Sequence, residues 1–177
     1  MIITILPSSA NFHAIAYNEM KVEKGVATLL EAQNILGLRQ ENYNPEKLRQ
    51  FFLDYSSRNT HIQKAQFHVA VSCKGSEYTH EQLLDIAHRY LKEMGYAEEG
   101  QPLLVYAHHD TDNNHIHIVT SRVAPDGHKI DHNHEKRRSH QVTQKIMEEY
   151  TGQKQKPEVN DIVKEALAYR YTSKAQF

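Results

Sequence analysis

Tyr106-Ala-His108-His109-Asp110-Thr-Asp-Asn-Asn-His115-Ile-His117-Ile-Val-Thr120 reads as two strands folded back on each other. Leu103 to His109 forms the first strand, Asp110 to Asn113 supplies turn residues, and residues 114 to 123 form the second. Side chains two apart on a strand share a face, so His115 and His117 project one way while Ile116 and Ile118 point into a core. The hairpin brings His108 back toward that pair. Imidazole is the commonest metal-binding side chain, and two ligands on one strand need a third, most simply His108 or His109. Strand alternation turns His109 away from His108, leaving His108, His115 and His117 as the candidate set. Three ligands leave coordination positions open, which suits chemistry more than scaffolding. Asp110 is expected beside them, fixing a histidine tautomer without binding the ion directly.

Working outward, residues 2 to 6 read as a strand stopped by Pro7, and Ser8, Ser9 and Asn11 are candidate caps for a helix through Phe12, Ile15, Tyr17 and Met20. Gly25 ends it, and Val26 to Ile35 reads as extended. Asn44-Pro45 is a cap followed by proline, starting a helix with an apolar stripe of Leu48, Phe51, Phe52 and Tyr55. Lys64 to Cys73 alternates as a strand, with Phe67, Val69 and Val71 on one face. Thr79-His-Glu-Gln82 is a capping box for a helix closed by Gly95. After the hairpin, Asp126-Gly127 makes a second turn into His128, Ile130, His132 and His134 at alternate positions, expected as a strand, with helix following Arg138. A further short helix is expected from Val159 to Tyr169. The order predicts an α+β class: a central antiparallel sheet with helices packed on it, broadly ferredoxin-like.

The composition narrows the rest. Lysine plus arginine number 21 against 22 acidic residues, a net charge of −1, so any polyanion must be held by local clusters such as Lys136-Arg137-Arg138. Cys73 is the only cysteine, which excludes an intrachain disulfide and a cysteine-based zinc cluster within the chain. The opening residues lack the basic flank and apolar core of a signal peptide, and no apolar run is long enough to span a bilayer. A cytoplasmic protein is expected, with one domain over 1–155 and a helical extension over 156–177 leading into a further C-terminal region.

The run His-His-Asp-Thr-Asp-Asn-Asn-His-Ile-His-Ile resembles the third motif of plasmid mobilisation relaxases, the P-type mobilisation proteins of the HUH endonuclease superfamily. Phe67-His-Val-Ala-Val-Ser72 resembles the second motif of that family, and Phe12-His-Ala-Ile-Ala-Tyr17-Asn resembles its nucleophile segment, in the same order. The resemblance implies a bacterial enzyme in which Tyr17 attacks one phosphate of single-stranded DNA at a transfer origin, leaving a 5′-phosphotyrosine and a free 3′-hydroxyl. It implies a divalent ion on His108, His115 and His117, Mg2+ or Mn2+, with Zn2+ or Ni2+ able to take its place in crystals. Asp110 or a metal-bound hydroxide would take the phenolic proton, and Ser72 would contact DNA, with Lys136, Arg137 and Arg138 gripping phosphates beyond the cleavage site. A relaxosome accessory protein, a type IV coupling protein, a monomeric state and export with the transferred strand also follow from the family.

Three other readings compete. A replication initiator of the same superfamily would carry its nucleophile after the histidine motif, with Tyr150-Thr-Gly-Gln-Lys154 the matching stretch. A metal phosphohydrolase, suggested by His109-Asp110, uses helical ligands, against the strand periodicity found here. A non-catalytic, metal-stapled DNA-binding module would leave the open coordination positions unused.

Overall fold

The computed structural model describes residues 1–152. The chain divides into two compact units, Met1–Thr143 and Gln144–Phe177. In the second, residues 144–152 are helical; the expected 156–177 extension and Val159 to Tyr169 helix lie outside the described residues.

The first unit is built on five strands, β1 (Ile2–Leu6), β2 (Ala27–Gln33), β3 (Gln66–Ser72), β4 (Leu103–His108) and β5 (His115–Ser121). They form one sheet in the order β1-β3-β5-β4-β2, antiparallel at every pairing. The helices are α1 (His13–Glu23), α2 (Pro45–Ser56) and α3 (His80–Met94), and α4 begins at residue 135. This is the expected α+β class, with the histidine strand β5 at the centre.

Both sheet faces are covered. Leu104, Tyr106 and Val119 form a core with Phe12 and Ile15 from the α1 segment and Leu48, Phe52 and Tyr55 of α2. Strand alternation sends Val105, Ile118, Val69 and Ile116 to the other face. There they lie with the apolar stripe of α3, including Leu83, Ile86 and Tyr90, all fully buried. Burying a large apolar side chain contributes roughly 1.5–3 kcal/mol, so the alternation of the hairpin is fixed by core on both sides. A slip of one residue would send Ile116 and Ile118 to the histidine face.

The caps expected from sequence are present for two helices. Asn44 accepts from the Lys47 amide at the start of α2. Thr79 and Gln82 close a capping box on α3, and Gly95 ends that helix at φ 89°. Helix α1 is a correction: none of Ser8, Ser9 and Asn11 caps it. Its N-cap is Phe12, held left-handed at φ 51° and fully buried against Phe52, with ring centroids 5.3 Å apart. Core packing overrides local capping here, and the free amide of Ala14 is satisfied from the sheet by Gln66 Oε1 at 2.9 Å. A Gln66→Leu variant should lose about 1–3 kcal/mol of stability in urea unfolding, the cost of an unsatisfied buried donor, while keeping native secondary structure.

Residues 128–134 are a second correction. They make one isolated bridge, Val123 with Lys129, and no strand. The Asp131 carboxylate accepts from the Asn133 amide and His134 turns left-handed, so helix begins at residue 135, ahead of the expected point. The alternating histidines therefore share no strand face, and Lys136, Arg137 and Arg138 lie in the first turn of α4.

Candidate metal centre and nucleophile site

The register sets three histidines together. Ser72 of β3, His115 of β5, His108 of β4 and Ala27 of β2 are consecutive partners across the sheet, and His117 lies two residues further along β5 on the same face. One nitrogen from each of His108, His115 and His117 falls within 4.8 Å of the others. The rings of His108 and His117 are stacked at 4.1 Å. Helices α1 and α2 cover the rest of this face, so the histidines line the end of a core, not an open surface.

Hydrogen bonds leave each ring a nitrogen for the centre. Asn18, fully buried on α1, donates its Nδ2 to the Ala14 carbonyl at 2.8 Å, which aims Oδ1 at His108 Nε2, 2.6 Å away. Nε2 must carry the proton and donate, so the lone pair sits on His108 Nδ1, a buried atom with no hydrogen-bond partner. His115 donates from Nδ1 to the Asn113 carbonyl at 2.9 Å, freeing Nε2. His117 Nδ1 meets His68 Nε2 at 2.8 Å, leaving Nε2 of His117 free. Burial, reinforced by the Lys21 charge, lowers the His108 pKa to about 4. Burial, with the neighbouring His108, lowers that of His117 to about 3. Both are neutral near pH 7, as ligands must be. The orphaned Nδ1 and the free ring nitrogens beside it fit a divalent ion.

The loop between β4 and β5 is pinned by its asparagines. Asn113 Oδ1 accepts from the Gly75 amide at 2.8 Å, and Asn114 exchanges backbone bonds with Gly75 and Cys73 while its Nδ2 donates to the Tyr78 carbonyl. The Asp-Thr-Asp-Asn-Asn stretch thus anchors the hairpin turn to the β3 to α3 connection. That contact places the Asn113 carbonyl under His115.

Tyr17 stands over this group. Its ring centroid is 6.1 Å from that of His108 and 6.4 Å from that of His117, and it is 43% exposed. Lys21, one turn along α1, lies 4.9 Å over the Tyr17 ring and pairs with Asp110. Burial opposes the Lys21 charge, but its bonds to Asp110 and Tyr17 outweigh this and raise its pKa. The bond from Lys21 holds the Asp110 carboxyl below the usual range. The other oxygen of Asp110 lies 4.0 Å from His108 Nδ1 and 3.9 Å from His115 Nε2. Asp110 bonds neither ring; Asn18, the Asn113 carbonyl and His68 occupy the positions that set the tautomers, correcting the role expected for it.

The remaining candidates divide. Ser72 pairs in register with His115 at the same strand end. His109 turns elsewhere, 3.0 Å from the Thr28 hydroxyl and edge-on to His80. Lys136, Arg137 and Arg138 do not join the site. Arg138 bonds Asp131 and reaches the Met94 carbonyl at the far end of α3, whose first residue, His80, touches His109. Fifteen helical residues separate those ends, about 22 Å. Tyr150 lies in the second unit, half-buried on helix. Asn18, His68 and Lys21 were missed from sequence. Only Lys21 carried a signal, its four-residue spacing from Tyr17, which puts both on one helix face.

A five-stranded antiparallel sheet presenting His-hydrophobe-His on its central strand, with a third histidine from the neighbouring strand, has the make-up of an HUH-type nuclease domain. Residues 17–151 match the family described as Relaxase: MobA/VirD2-like, nuclease domain, and the chain belongs to this family. It is thus a mobilisation relaxase domain, of a family of single-strand-binding DNA nucleases and strand transferases. No curated protein and no solved structure matches it. No helix among the described residues is long and apolar enough to cross a membrane.

Proposed function

We propose that this chain nicks single-stranded DNA at a transfer origin by attack of the Tyr17 phenolic oxygen on the scissile phosphorus. The new oxygen–phosphorus bond leaves the 5′ end on Tyr17 and releases a 3′-hydroxyl. Attack by a 3′-hydroxyl later reverses the linkage and rejoins the strand without ATP. The observation that carries the reading is the exposed Tyr17 ring beside the histidine triad within one compact unit.

Each residue has a task in that step. His108, His115 and His117 would hold a divalent ion, which when bound polarises the phosphate and offsets its growing negative charge. Three imidazole donors favour a transition ion such as Mn2+ over Mg2+, which prefers oxygen. Neutral ligands leave the ion's full charge for the substrate. Lys21 stabilises the phenolate as it forms, and Asp110, ionised beside Lys21, accepts the phenolic proton. Ser72 offers a hydroxyl to the strand at the same end of the sheet. We assign the cytoplasm as the site of nicking, a relaxosome accessory protein and a type IV coupling protein as partners, and a monomer as the acting form.

A pool of single-stranded oligonucleotides tiled across the DNA element that encodes the chain supplies the origin wherever it lies. The chain is incubated with 3′-labelled single-stranded oligonucleotides from that pool and Mn2+, then run on a denaturing gel. Label migrating with the protein, lost on chelation, is the expected result. Release of free fragments with no protein-linked label would reject the tyrosine mechanism.

A further inference from the structure

At the end of the sheet opposite the triad, a cleft of about 340 Å³ opens among Ser8, His61, Lys64, Arg122, Lys129 and His132. Ser8 follows β1, Lys64 precedes β3 and Arg122 follows β5. The pairing of Leu6 with His68 and of Gln66 with Ser121 brings those three strand ends together. The catalytic assignment above uses none of these residues.

The charge around the cleft is one-sided. Arg122 is already committed: Glu135 takes two of its bonds, at 2.6 and 3.1 Å, and Ser8 and Tyr96 take others. The other acids nearby have partners too, Asp126 in His128 and Asp131 in Arg138. The Lys129 ammonium lies 3.3 Å from the His132 ring and forms no ion pair among the described residues. Among the described residues Lys64 forms no ion pair. Two exposed ammonium groups thus line a cleft edged with imidazoles and a hydroxyl, with no carboxylate among the described residues paired to them. Lys136 and Arg137, both exposed, follow Glu135 in the chain.

The chain as a whole carries a charge of −1, so a polyanion gains nothing from the overall field and must be held where cations are unpaired. Unpaired ammonium groups beside imidazoles and a hydroxyl are the chemistry that suits a phosphodiester. Arg122, just past β5, lies seven residues beyond His115 and five beyond His117, about 16–24 Å at strand rise. Stacked nucleic acid places its phosphates about 3.4 Å apart along the axis and an extended single strand about twice that, so the span covers roughly three to seven phosphates.

We propose that this cleft is a second DNA contact, in which Lys64 and Lys129 hold backbone phosphates several nucleotides from the cleaved one; this rests on the relaxase reading above. The cleft would fix the strand at a distance while Tyr17 engages the scissile phosphate.

The experiment measures binding of fluorescein-labelled dT20 to the full chain carrying Tyr17→Phe, as a function of salt. Each phosphate contact in a single strand contributes about 0.7 to the slope of log K against log salt. Lys64→Gln with Lys129→Gln should lower that slope by about 1.4, with an unchanged melting temperature. The exposed lysines Lys47 and Lys92, changed to glutamine as a pair, should leave it unaltered. An unchanged slope in the cleft variant, or an equal loss in the control pair, overturns the cleft and leaves the nuclease reading standing. Absence of dT20 binding by the parent protein also overturns the cleft, since a backbone contact is indifferent to sequence.

Discussion

Tyr17→Phe should abolish the covalent protein–DNA adduct, a loss of at least about 1,000-fold, because the variant has no oxygen with which to form the ester. The ring is already 43% exposed and the substitution removes only a hydroxyl, so stability should change by no more than about 0.5 kcal/mol. Mn2+ affinity should also be unchanged, since Tyr17 contacts the histidine rings only through its own ring. The combination separates a nucleophile from a packing residue. Loss of the adduct together with metal binding or folding would point to a structural role for Tyr17.

The second large effect falls on the triad. His108→Ala and His115→Ala should each remove measurable Mn2+ binding in titration calorimetry and adduct formation with it. The double variant should be no worse than either single one, because groups that act as a unit are not additive. His108 is buried and His115 half-buried, so the His115 variant tests the ligand role with less damage to the core. Asn18→Leu is the sharper probe. It keeps every ligand and removes the acceptor that holds the His108 proton on Nε2. Freed of that bond, the proton can move to Nδ1 and block the lone pair the ion needs. Mn2+ affinity should fall about 10- to 100-fold. Long-range 15N spectra of the apo protein should show the His108 proton on Nε2 in the parent and its redistribution in the variant. An unchanged spectrum and affinity would remove Asn18 from the account.

The legibility of this site follows from where its information is stored. His108, His115 and His117 were readable because strand alternation and a turn of asparagines and aspartates fix their relation within ten residues of sequence. Tyr17 came through resemblance, since nothing in the spacing of α1 relates it to a strand some ninety residues later. Asn18 was invisible for the same reason: its partner depends on how α1 lies across the sheet, a matter of Phe12 and Ile15 packing in the core. The alternating histidines from His128 to His134 imitated a strand, but the backbone there makes a single bridge. Lys136 to Arg138 follow the motif closely in sequence yet sit a helix length from it, because the chain crosses the sheet along β5 before reaching them. Alternation reports a face only where hydrogen-bonded neighbours hold it.

The most direct measurement of the central claim is the identity of the residue that carries the DNA. The adduct formed with Mn2+ is isolated, digested with protease and nuclease, and the nucleotide-bearing peptide sequenced by mass spectrometry. The account predicts a phosphodiester mass on Tyr17, in a peptide from α1. The same mass on Tyr150, as a replication initiator would show, or on any other residue, would contradict it.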